Sequence, residues 1–103
     1  MPKERILVVD DEPDMLSSCQ RLLSRAGYEV KVAPSGREAL RLLKEGPFNL
    51  ILTDLRMPEM DGMEVLKLSR EQSPDSAVIV FTGYGTIQDA VMAMKSEIGR
   101  AHV

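Results

Sequence analysis

Apolar residues in this chain come in short continuous runs, separated by stretches in which they recur every third or fourth position. The runs are residues 5–10 (RILVVD), 48–54 (FNLILTD) and 77–82 (AVIVFT). Without polar alternation they read as strands covered on both faces. Residues 28–33 (YEVKVA) do alternate, with Tyr28, Val30 and Val32 on one face, and read as a half-exposed strand. Helical spacing fills the gaps. Met15, Leu16, Cys19, Leu22, Leu23 and Ala26 repeat behind Pro13, which suits a first helical turn, and ahead of Gly27, a stop signal. Ser35-Gly36-Arg37-Glu38 has the spacing of a capping box. Ala39, Leu40, Leu42 and Leu43 form the apolar side of the helix it opens, and Gly46-Pro47 end that helix. Asp61 caps a third helix through about Gln72, with Glu64 three residues on and Val65, Leu66 and Leu68 facing inward. A fourth starts at Thr86, with Ile87, Ala90, Val91 and Met94 inward.

Strand and helix alternate four times, which calls for a parallel sheet with right-handed crossovers and helices on both faces. The predicted fold class is α/β, a flavodoxin-like doubly wound parallel sheet of strand order 2-1-3-4-5. The tail breaks the rhythm. Residues 96–103 (SEIGRAHV) continue neither a helix nor a clear strand where a fifth strand is expected. Residues 1–95 are therefore expected to form one incomplete domain, and 96–103 an atypical tail of foreign origin.

Composition narrows the class. A chain of 103 residues, 44% hydrophobic and 28% charged, is one ordinary globular domain. No apolar run approaches the roughly 20 residues of a membrane span, and no signal peptide opens the chain, so the expected compartment is the cytoplasm. The net charge of −3 carries no basic footprint for direct nucleic-acid binding. Cys19 stands alone, which rules out an internal disulfide and reads as a small core residue on a helix. His102 is the only histidine, which argues against a His-based triad or multi-His metal site.

Candidate chemistry gathers at the strand ends. In the order 2-1-3-4-5 the carboxyl ends of strands 1, 3 and 4 lie side by side at the switch point. That brings together Asp10 and Asp11, Asp54, and Thr82. Three carboxylates so close need a proton or a cation, and hard oxygen ligands suit Mg2+, which also binds phosphate oxygens. Asp54 could then act as a nucleophile and form an aspartyl phosphate. Thr82 and the Gly83 N–H could donate to the phosphoryl oxygens. Taken singly the features are blander: Asp10-Asp11 alone suits a helix N-terminus, Thr82 alone is a strand residue, and Arg56 and Lys67 are solvated charges.

Three pieces, VVDDE at 8–12, LTDLRMPEMDG at 52–62 and VIVFTGYGT at 78–86, together resemble the receiver domain of bacterial two-component response regulators, in register over about residues 4–95. The stretch TGYGTIQDAVMAMK is most similar to receivers of NtrC-type transcriptional activators. The resemblance implies a signalling switch in which a cognate histidine kinase passes a phosphoryl group to Asp54, with Mg2+ as cofactor. Further partners would be ATPase and DNA-binding output domains outside this chain. It implies Asp11, Asp54 and the Arg56 backbone carbonyl as direct Mg2+ ligands, Asp10 as a ligand through water, and Glu12 near the metal's water shell. Thr82 would be the switch hydroxyl, and Pro58 and Gly62 would shape the loop after the phosphorylation site. Such a domain is a phosphoacceptor rather than an enzyme.

The family's fifth-strand Lys and aromatic switch residue have no counterpart, since Lys95 falls on the preceding helix and Tyr84 is out of place. Strand 4 is then expected to be an exposed apolar edge, along which the chain forms a homodimer or exchanges strands. Two other readings stay open. One is a phosphorylation-incompetent receiver acting only as an interaction module. The other is a Mg2+-dependent phosphohydrolase, which would want a second Asp two residues after the nucleophile, where Arg56 stands.

Overall fold

In the computed structural model, which describes residues 3–81, strands and helices follow one another in the predicted alternation. The elements are β1 (Arg5–Val9), α1 (Pro13–Arg25), β2 (Glu29–Ala33), α2 (Gly36–Glu45), β3 (Leu50–Asp54), α3 (Gly62–Gln72) and β4 (Ala77–Phe81). All pairings are parallel and the strand order is β2-β1-β3-β4. The predicted fourth helix, fifth strand and tail, and Thr82 with them, lie outside the described residues.

Register sorts the side chains into two layers. Val30, Ile6, Leu50 and Ala77 lie in one row across the sheet, and Val32, Val8, Leu52 and Ile79 in another. Both rows face α1, packing with its Leu16, Cys19 and Leu23. The intervening residues Leu7, Val9, Ala33, Ile51 and Val78 face the other way, onto Ala39 and Leu43 of α2 and Val65 of α3. Ile6 to Val9 and Leu50 to Thr53 are wholly buried, so neither central strand has a wet face and neither sequence alternates. Burying each Leu or Ile contributes roughly 1.5–3 kcal/mol. β2 is half-exposed, with Glu29 and Lys31 outward.

Local signals act much as their residue types suggest. α1 starts on Pro13, and the Tyr28 N–H donates to the Leu23 carbonyl while Gly27 donates to Ser24. That is a Schellman ending, with Gly27 at φ +101°, where a side chain would be strained. Asp61 caps α3 by accepting from the Glu64 N–H at 3.0 Å, and α3 ends at Gln72 as expected.

Other expectations need correction. β1 ends at Val9, and β2 and β3 begin later than predicted, at Glu29 and Leu50. Tyr28 closes the helix before it, so its N–H is not free for the sheet. Leu22 is 37% exposed and Ala26 is exposed, on the solvent side of the α1 ending. The capping box is one-sided: Ser35 accepts from the Glu38 N–H at 3.2 Å, but the Glu38 carboxylate turns to Arg41. On α3, Leu68 is half-buried, while the next residue, Ser69, is the fully buried one.

Candidate functional site

β1 and β3 are neighbours, so their carboxyl ends deliver Asp10 and Asp54 to the same place. Asp54 is the last residue of β3 and only 8% exposed; Asp10 follows β1 and is 2% exposed. Asp11, next to Asp10, is exposed. One carboxylate oxygen from each of the three lies within 4.8 Å of the others. The predicted convergence of Asp10, Asp11 and Asp54 is thus present in the structure.

Main-chain bonds hold the group. The Glu12 N–H donates to Asp10 Oδ1 at 2.9 Å, and Asp10's own N–H donates to the Ala33 carbonyl at 3.1 Å. The Arg56 N–H faces Asp54 Oδ1 at 3.4 Å, a long hydrogen bond, and the Arg56 side chain is exposed. Burial is the main cause that pushes the Asp10 carboxyl up to about 6; the Glu12 N–H opposes it, and the charges of Asp54, Asp11 and Glu12 reinforce it. Asp54 is also held above the usual carboxylate range, first by burial and then by Asp11, against the pull of the Arg56 and Leu55 N–H groups. Crowded carboxylates of this kind gain from a hard divalent cation, and an all-oxygen donor set fits one.

The loop after β3 is tightly folded. The Met60 N–H donates to the Pro58 carbonyl at 2.7 Å across Glu59, which sits at φ +66°. This is a three-residue turn in a left-handed conformation, strained for a residue with a side chain. The Gly62 N–H then returns to the Leu55 carbonyl at 2.8 Å. A Cβ on Gly62 would lie 2.3 Å from the Asp54 carbonyl oxygen, so only glycine lets α3 start this close to the end of β3. The left-handed Glu59 has no sign in the sequence, because glutamate is not a residue type that marks such a position.

A parallel sheet with helices on both faces and a carboxylate cluster at the ends of its central strands defines a class of α/β domains with an acidic pocket. Sequence relationships make the class specific: the chain belongs to the response regulator receiver domain family, whose sequence model matches residues 6–100. It is similar to the transcriptional regulatory protein ZraR of Escherichia coli K12, 43% identical over 91 residues, which is 88% of this chain but 21% of that protein. The chain thus spans about a fifth of the length of this NtrC-type relative. Among solved structures it is similar to a response regulator receiver domain protein from Clostridium thermocellum (TM-score 0.74, 38% identity, 90% of this chain and 75% of that one). It is also similar to the response regulator TrrA from Thermotoga maritima in complex with Mg(2+)-BeF (TM-score 0.79, 29% identity, 95% and 98%). No helix among the described residues is long and apolar enough to cross a membrane.

Proposed function

We propose that this receiver domain, in the cytoplasm, accepts a phosphoryl group on Asp54 from the phosphohistidine of a cognate histidine kinase and thereby regulates a transcriptional output domain. The observation that carries the reading is the convergence of Asp10 and Asp11 on Asp54 at the end of β3. Asp11, Asp54 and the Arg56 carbonyl would hold Mg2+ directly and Asp10 through water. When bound, the ion offsets the repulsion between a carboxylate and an anionic phosphoryl group. Asp54 supplies the electron pair for the new O–P bond; the P–N bond of the donor breaks, and its imidazole leaves with the P–N bonding pair. The Gly62 approach and the Arg56 N–H fix the orientation of Asp54. Thr82 would donate to the transferred group. The domain is a phosphoacceptor with no independent substrate to turn over. TrrA, crystallised with Mg(2+)-BeF, supports the cofactor assignment.

Intact mass after incubation with acetyl phosphate and Mg2+ tests this. A gain of one phosphoryl group in the natural chain and none in Asp54→Asn is the expected result. No gain while Mg2+ still binds would overturn phosphoacceptance and leave an interaction module.

A further inference from the structure

Gly36 opens α2, where the backbone conformation does not require a glycine. Among the described residues the only glycine in the left-handed φ region is Gly27. Helix preference alone would favour alanine at position 36. Space explains the glycine instead. A Cβ on Gly36 would lie 2.7 Å from Met60 Sδ, 2.9 Å from Met60 Cγ and 3.0 Å from Val65 Cγ2. Met60 is half-buried and packs against the apolar layer between the sheet, α2 and α3. It also sits at the far end of the strained turn at Glu59, immediately before the α3 cap Asp61. The loop that runs from Asp54 through Arg56 to Gly62 is therefore pinned at two points. One is Gly62 against the Asp54 carbonyl; the other is Met60 against Gly36. Beside this seat Ser35 caps the first turn of α2 by accepting from the Glu38 N–H. An exposed Arg37–Glu59 pair at 3.9 Å spans the same gap and adds little.

We infer that Met60, seated on Gly36, is a positioning residue that holds the loop after β3 in metal-binding geometry, so that the start of α2 sets the affinity of the acidic site. The inference rests on the Mg2+ reading of that site. It concerns residues that touch neither the carboxylates nor a phosphoryl group. A methyl at position 36 forces Met60 to turn away, and the loop then loses its outer anchor. Truncating Met60 removes the same anchor without a clash.

The test is Mg2+ affinity by titration calorimetry for the natural chain, Gly36→Ala, Met60→Ala and the double variant, with Gly27→Ala as control. Each single variant should bind Mg2+ about 10-fold more weakly, the scale of residues that orient metal ligands from behind. The double variant should be no weaker than Met60→Ala, since both changes remove one contact. Gly27→Ala is strained at φ +101° but remote from the loop, and should lose stability with no change in affinity. That control separates positioning from general destabilisation. Should Gly36→Ala fail to fold, Met60→Ala alone decides, because it introduces no overlap. Unchanged affinity in the single variants, or losses that multiply in the double variant, would overturn the inference. Absence of Mg2+ binding in the natural chain would overturn the functional reading itself, and the inference with it.

Discussion

Arg5 and Asp54 stand at opposite ends of neighbouring strands, in opposite electrostatic surroundings. At the amino end of the sheet, the Arg5 guanidinium bonds the Glu29 carboxylate and donates to the Pro47 carbonyl at 2.8 Å. It lies over the Phe48 ring, 4.6 Å from the centroid, and its main-chain N–H donates to Asn49 Oδ1 at 2.7 Å. Ser76 bonds the Phe48 carbonyl and shares a 2.6 Å contact with Ser73. Positive meets negative there, and donors meet acceptors. At the carboxyl end three acids share one space and two of them are buried. At one end of the sheet the described residues pair charge with charge, whereas at the other they bring three carboxylates together. Perturbed carboxylates of the latter kind mark functional sites.

The largest effect should come from closing the glycine gap at the carboxyl end. Gly62→Ala puts a methyl into the Asp54 carbonyl, and main chain cannot swing aside as a side chain can. We expect a loss of about 3 kcal/mol in denaturant unfolding, the upper range for overpacking. A loss of phosphoryl uptake should accompany it.

Next comes the charge cluster. Because the Asp10 carboxyl is raised to about 6 in the folded chain, its contribution to stability is full below pH 3.8 and is lost as pH rises through about 6. Without metal, the group should therefore cost of order 3 kcal/mol at pH 7. Asp10→Asn should recover most of that at pH 7 and little near pH 4. The reverse pH trend in metal-free unfolding would contradict the electrostatic contrast between the two ends.

A smaller loss is expected from Arg5→Ala, about 1–2 kcal/mol, mostly through packing on Phe48 and the bond to Pro47, since the pair with Glu29 is solvent-screened. Mg2+ affinity should stay unchanged in this variant. A shift in affinity would show that the two ends are coupled.

The smallest effect concerns a buried hydroxyl on α3. Ser69 Oγ is fully buried with no hydrogen-bond partner among the described residues. Ser69→Ala should raise thermal stability slightly, by up to about 1 kcal/mol, because an orphaned hydroxyl carries only its desolvation cost.

The frame was legible in the sequence because its signals are local. Unalternated runs such as ILVV and LILT mark buried parallel strands; Ser35, Asp61 and Gly27 mark helix ends by the hydrogen bonds they make, and Pro13 by its fixed φ and missing N–H. The meeting of Asp10, Asp11 and Asp54 was legible too, once parallel order placed β1 beside β3. What escaped depends on distant neighbours. Glu38 preferred a nearby Arg41 to its capping partner, and Leu22, at apolar spacing, is 37% exposed among the described residues. Nothing within the Ser-Gly-Arg-Glu motif reveals that its glycine makes room for Met60, which lies far along the chain. Ser69 shows the same limit, since a serine in the last turns of a helix gives no sign of whether it faces the core.

The most direct measurement is chemical denaturation of the natural chain and Asp54→Asn at pH 7.5, each with and without Mg2+. Without Mg2+, Asp54→Asn should be the more stable, because a buried charge and its repulsion with Asp11 are gone. With Mg2+ at about 100 times its dissociation constant, the natural chain should gain about 2.7 kcal/mol and the variant much less. An Asp54→Asn variant no more stable than the natural chain, with Mg2+ shifting neither, would contradict the view that the carboxyl end is a charged pocket awaiting a cation.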